Sequence, residues 1–248
     1  MLLVVVTAAT GCQPGVLFGA GPDTADLRVP EGTLDRAAAV TALQSLPVAP
    51  ASPLPGYDRD CSPGHGCVFG PAWSDDVDVG GGHNGCDTRN DLLNRDLQAG
   101  QVGGTPVPKR YREPGLCVVV EGVLDEPYTG KAIHFTKDRA DLVQIDHVVA
   151  LAAAWRAGAA GWNPQQRRNF ANDPRNLLVV DGPTNQGKGD STADEWLPPN
   201  SAYQCEYARI VITVKSLYGL AVTAAEQAAL KAVLDRCSPP ALTVPSTG

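Results

Sequence analysis

The chain has 248 residues and a formal net charge of −7, from 20 Lys and Arg against 27 Asp and Glu. That length admits one or two domains with an adequate core. The acidic balance excludes a protein that grips nucleic acid over its whole surface, and it leaves room for a local basic groove.

Residues 1–11 are a short apolar run that continues into Ala-Thr-Gly-Cys at 9–12. This is the pattern of a bacterial lipoprotein signal, with Cys12 as the residue to be lipidated, although the usual basic residues at its start are missing. The run is too short to span a bilayer. The expected location is therefore extracytoplasmic, either secreted or lipid-anchored at the cell surface. Residues 12–32 are Gly-, Pro- and Asp-rich and read as a flexible tether. The stretch 33–46 predicts a helix with Thr33 as its cap and Leu34, Val40, Leu43 and Leu46 on one face. The prolines that follow force an extended connector, so 33–55 forms one helix-and-connector segment. A folded domain is expected over 56–238, and 239–248 reads as a frayed tail.

Within the domain, "CDTRNDLLNRDL" (86–97) predicts a helix capped by Asp87. "LCVVVEGVL" (116–124) predicts a strand, "DEPYTG" a turn, and "KAIHF" (131–135) its hairpin partner. "LVQIDHV" (142–148) alternates as a strand and leads into a helical "ALAAAWRAGA" (150–159), which Gly158 ends. A second helix opens with Asn163 as cap and Pro164 at its first position. "NLLVV" (176–180) is a buried strand, turned by Asp-Gly into the polar "PTNQGKGD" (183–190). Trp155 and Trp162 read as core residues. His65, His83 and His134 read as structural or solvated.

Apart from Cys12 the chain holds six cysteines without tight pairs, which points to three disulfides rather than a zinc site, and to export. Six cysteines allow 15 pairings. One pair follows from geometry. Residues 201–218 are helical in pattern and end at Gly219, and Thr223 with Glu226 form a capping box that opens a second helix. In an antiparallel hairpin Cys205 and Cys237 both lie about 18–20 Å from the turn, at its open end. Cys61–Cys67 is then the local choice across "SPGHG", leaving Cys86–Cys117.

The order Asp146-His147, Asn176, Asn185, Lys188, Asp190 inside "IDHVVALAAAWRAGAAGW…RRNFANDPRNLLVVDGPTNQGKGD" resembles the HNH, or ββα-metal, endonucleases. It is most similar to the secreted branch related to the C-terminal domain of GmrSD-type restriction enzymes, and the likeness extends over residues 56–237. The resemblance implies an α+β fold: a ββα-metal (HNH, His-Me finger) core with flanking helices and a small β-meander, stapled by disulfides. It implies a metal-dependent phosphodiester hydrolase with little sequence specificity, acting on nucleic acid, with DNA favoured over RNA.

The roles it implies follow the chemistry. A phosphodiester anion repels hydroxide, so a cation must neutralise it. Asp146 and Asn185 are the expected oxygen ligands of one divalent ion, Mg²⁺ before Mn²⁺, since an amide in place of the third histidine disfavours zinc. A strand-end distortion would bring Asp146 and His147 to one cleft. His147 is the expected general base, and Asn176 steadies its loop. Lys188 is expected to meet a phosphate oxygen, and Asp190 to orient Lys188 or a metal-bound water. Arg89 reads as a phosphate contact or an ion-pair partner. Arg156 and Arg167 read as substrate contacts, although Arg167 and Arg168 also suit a solvated helix face. Residues 139–190 carry a net +1, which fits a local cleft making phosphate contacts without a recognition helix, and the enzyme is expected to be a monomer. The rival reading is a non-catalytic surface lipoprotein that uses the same core to bind a ligand or partner.

Overall fold

The computed structural model describes residues 28–113, 115 and 117–237. The proposed signal, Cys12, most of the tether and the C-terminal tail lie outside the described residues. The architecture is α+β, with three disulfides.

Helix α1 (Arg36–Ser45) is the first helix among the described residues. Its cap is Asp35, whose carboxylate accepts from the Ala38 amide, and not Thr33, whose hydroxyl donates to the Pro30 carbonyl. A long loop then leads to α2 (Thr88–Asp96), capped by Asp87 as expected. Short strands β1 (Leu97–Gln98), β2 (Gly100–Val102), β3 (Thr105–Val107) and β4 (Arg110–Tyr111) follow. The central strand β5 (Val119–Asp125) pairs antiparallel with β6 (Ala132–Thr136) on one edge and with β1 and β4 on the other. The hairpin β2–β3 stands apart as its own two-stranded ladder.

A second two-stranded sheet consists of β7 (Val143–His147) and β8 (Leu177–Asp181), joined by an insertion that carries α3 (Leu151–Arg156) and α4 (Pro164–Asn172). Asn163 and Gln166 form a full capping box on α4, with Pro164 at the first helical position. The chain leaves β8 directly into α5 (Gly182–Lys188), capped by Asp181. Asp-Gly is thus a helix start rather than a free turn. A side chain at Gly182 would put its Cβ 2.3 Å from the Asp141 carbonyl, so only glycine lets α5 begin this close to the segment before β7. Gly189, at φ +56°, ends the helix after two turns.

Helices α6 (Gln204–Tyr218) and α7 (Ala224–Arg236) close the fold. Gly219 ends α6 in the left-handed conformation and Thr223 caps α7. Ala39, Leu43 and Leu46 from the first helical segment share one core with Tyr207, Val211, Val214, Leu230 and Leu234 of the hairpin and with Trp155, Phe170 and Leu178 beside the second sheet. A smaller core joins Leu92, Leu93 and Leu97 to Val119, Leu124, Val143, Ile145, Leu177 and Val179, and so fixes the two sheets against α2. The disulfides are Cys61–Cys67, Cys86–Cys117 and Cys205–Cys237, the pairing expected, and the last clasps the open end of the α6–α7 hairpin.

Candidate active site

A cleft of about 440 Å³ runs along β7. Gln144, Asp146 and His147 border it from β7, Asn185 and Asp190 from α5 and the residues after it, and Tyr57, Arg59, Trp73 and Arg89 from the long N-terminal loop and α2. Register is regular from Val143↔Asp181 to His147↔Leu177, so no strand distortion is needed. The two neighbouring side chains simply turn to different partners while both border the same cleft.

The half-buried His147 ring stacks on Trp73, with centroids 5.7 Å apart and planes 10° from parallel. Its Nε2 lies 2.8 Å from the Ala171 carbonyl. A carbonyl only accepts, so Nε2 carries the proton and Nδ1 keeps its lone pair. Desolvation pushes the imidazole down to about 4, against the Ala171 bond, which raises it. At neutral pH the ring is therefore uncharged, with Nδ1 as the acceptor. Asn176 is fully buried and clasps the chain just beyond it: its Oδ1 accepts from the Val149 amide at 2.8 Å and its Nδ2 donates to the Val149 carbonyl at 3.2 Å. This is the loop-steadying role expected of it.

Asp146 is buried. Its Oδ1 accepts from Lys188 Nζ at 2.8 Å and its Oδ2 from the Tyr128 hydroxyl at 2.5 Å. Burial raises its carboxyl, opposed by the Lys188 charge. Tyr128 is delivered by the "DEPYTG" turn, where the buried Glu126 carboxylate accepts from the amides of Tyr128 and Thr129 and from the Thr129 hydroxyl. Burial and the adjacent carboxylate hold the Tyr128 phenol well above its usual range, so it stays a donor.

Several expected substrate contacts are corrected. Lys188 does not face a phosphate: it is fully buried, and its ammonium spans the Asp146 carboxylate and the His147 carbonyl, both at 2.8 Å. An isolated buried ammonium would be too costly, so it goes where the carboxylate is. Asp190 does not orient Lys188; at the border of the cleft it pairs with Arg156, which does not line the cleft, at 2.9 Å. Arg167 turns inward, donating to the carbonyls of Val68 and Trp162 with its guanidinium over the Trp155 ring. Arg89 borders the cleft and donates to the Val143 carbonyl at 3.1 Å.

Among the cleft residues not singled out from sequence are Tyr57, Arg59, Trp73 and Gln144. Arg59 is exposed, and among the described residues neither it nor Arg89 has a carboxylate within 4.0 Å, whereas Asp146 and Asp190 are each matched by a cation. The cleft's balance is thus set by two arginines. Trp73 has φ +57°, a left-handed conformation rare for a bulky residue. No local pattern marks such residues, because a loop's conformation depends on what it packs against.

Asp146 and Asn185 meet the oxygen chemistry of a hard cation. Asn185 donates Nδ2 to Gln144 Oε1 at 3.0 Å, which leaves its amide oxygen for the cleft, and each Asp146 oxygen retains acceptor capacity. Two such ligands suit an ion that completes its shell with water and phosphate. Among the described residues no group of three His, Cys, Asp or Glu side chains gathers as in an all-protein cage.

The model of the GmrSD restriction endonucleases, C-terminal domain, matches residues 107–233. The chain belongs to this family. The GmrSD C-terminal match contains Tyr128, Asp146, His147, Asn176, Asn185 and Lys188, while Arg59, Trp73 and Arg89 lie before it. An uncharacterized secreted protein of Arthroderma benhamiae is 37% identical over 201 residues, covering 80% of this chain and 84% of that protein. No solved structure matches.

Proposed function

We propose that this protein is a secreted, metal-dependent endonuclease with a ββα-metal core formed by β7, β8 and α5. The observation that carries the reading is a neutral imidazole, fixed through Nε2 with Nδ1 left to accept, in a cleft where the unmatched charges are Arg59 and Arg89. A phosphodiester is the anion this suits, and family membership supports nucleic acid as its source. DNA is the favoured form.

His147 Nδ1 takes a proton from a water in line with the phosphorus. The water oxygen bonds to phosphorus as the bond to the 3′ oxygen breaks, giving a 5′-phosphate and, once that oxygen is protonated, a 3′-hydroxyl. Arg59 and Arg89 grip the non-bridging oxygens. Asp146 and Asn185 would hold one Mg²⁺, or Mn²⁺, which when bound supplies charge neutralisation at the phosphate. Lys188 and Tyr128 fix the Asp146 carboxylate, and Asn176 fixes the chain after His147.

Three disulfides and a relative named as secreted support an extracellular location. A lipid on Cys12 would tether it to the surface. Plasmid nicking with and without chelator, with His147→Ala as control, is the test. Mg²⁺-dependent nicking that the variant lacks is expected; binding of DNA without any nicking would favour the non-catalytic reading.

A further inference from the structure

A second cavity, of about 220 Å³, adjoins the main cleft at His147. The two share Arg59, Trp73, His147 and Leu151 as walls. The general base thus stands at a junction, with the same exposed arginine reaching both chambers.

The two chambers differ in chemistry. The main cleft carries the arginines and the polar ends of Gln144 and Asn185. The second is lined mainly by Phe69, Pro71, Ala72, Trp73, Leu151 and Ala171. Its polar rim is Arg59, Asp60 and Asn172. Both ends of the Asn172 amide are already bonded, to Thr88 and to the Arg168 carbonyl. Asp60 puts a carboxylate on this rim that the main cleft does not have, so this chamber suits a neutral, flat group with a polar edge rather than a second phosphate. Its volume equals that of about seven waters at ~30 Å³ each, the scale of a planar heterocycle. The Cys61–Cys67 bond and the Asp58 carboxylate, which accepts from the amides of Asp60 and Gly66, hold the loop that bears Arg59.

We propose that this second cavity is a subsite for an unpaired nucleobase beside the phosphate being cut, so that single-stranded nucleic acid is the preferred substrate; the proposal rests on the nuclease reading above. A base in a duplex is stacked and paired, and must leave the stack to enter such a chamber. A base in a single strand is free to lie against Trp73 and Phe69 while its phosphate meets Arg59 at the junction.

The test compares cleavage of one oligonucleotide sequence as single strand and as duplex, in Mg²⁺. The single strand is expected to be cut at least about tenfold faster. An abasic site placed along the strand should suppress cutting at the adjoining phosphate, a substrate-side measurement that leaves the protein untouched. Ala72→Trp, a substitution at an exposed position of the cavity wall, should lower single-strand cleavage toward the duplex rate. Equal rates on strand and duplex, insensitive to the abasic site and to Ala72→Trp, would overturn the subsite and leave the nuclease reading standing. Wild-type protein that cuts neither substrate overturns both.

Discussion

Two buried lysines, Lys188 in α5 and Lys215 in α6, make nearly the same contacts in two regions of the molecule. Lys188 pairs with Asp146 at 2.8 Å and donates to the His147 carbonyl. Lys215 pairs with Glu226 at 2.6 Å and donates to the Ala221 carbonyl. In both, burial raises the carboxyl and the ammonium opposes it. The difference is what each pair borders. Lys215 joins the end of α6 to the start of α7 and sets a hairpin. Lys188 joins α5 to β7 through the Asp146 carboxylate and through the backbone carbonyl of His147, the proposed base. A buried ion pair therefore says little about function until its neighbours are known, and the family resemblance misled on Lys188 for that reason: the spacing was right and the direction was inward.

The largest effect expected separates chemistry from support. His147→Ala should lower cleavage by about 10²–10⁴-fold, the contribution of a positioned general base. Circular dichroism should show it folded; a folded variant with wild-type rates would remove His147 from the mechanism.

The two pairs are distinguished by breaking each. Lys188→Met and Lys215→Met should each lose about 3–5 kcal/mol in urea denaturation, since each leaves a buried carboxylate without its cation. Only Lys188→Met should also lower activity per folded molecule. Equal activity in the two variants would mean that the Asp146–Lys188 pair is as remote from the chemistry as the hairpin pair.

Of the two regions only that of β7 carries a histidine, since residues 201–237 contain none. Unfolded, His147 takes a proton near 6.5; folded, not until about 4. Between these values the unfolded state binds the extra proton, so stability falls as pH is lowered through the window and levels off beneath it. The loss is at most about 3 kcal/mol, reduced by the solvent that reaches the half-buried ring. Denaturation midpoints measured from pH 7 to 4 in wild type and His147→Ala should differ in slope; parallel curves would contradict the lowered imidazole.

Opening Cys205–Cys237 with paired serines should cost about 2–4 kcal/mol and leave folded-state activity intact. The smallest effect is expected at Arg89: its replacement by Ala should reduce the salt slope of substrate binding by about one. An unchanged slope would show that Arg89 serves only the Val143 carbonyl.

Much of the scaffold was legible. Asp87, Asn163 and Thr223 cap the helices expected of them; β6, β7 and β8 form within a residue of their expected ends, and β5 starts three residues later than expected. Such signals are local: a cap bonds an amide two or three residues on, and alternation reports one face of one strand. The disulfides were legible because helix length fixes where Cys205 and Cys237 lie. The short strands β1 to β4 were not, since two or three residues carry no period.

The sequence by itself determined the α+β class and the three cysteine pairs, and its family resemblance picked out Asp146, His147, Asn176 and Asn185, which the structure places at the cleft or just behind it, because caps, periodicity and motif order act along the chain. The tertiary structure alone decided where charge is free. It buried Lys188 under Asp146, turned Arg167 onto backbone carbonyls, gave Asp190 to Arg156, and brought Arg59 and Trp73 from a distant loop to His147. The physical reason is that a long cationic side chain is directed by the carboxylates and carbonyls around it, and those come from other parts of the chain.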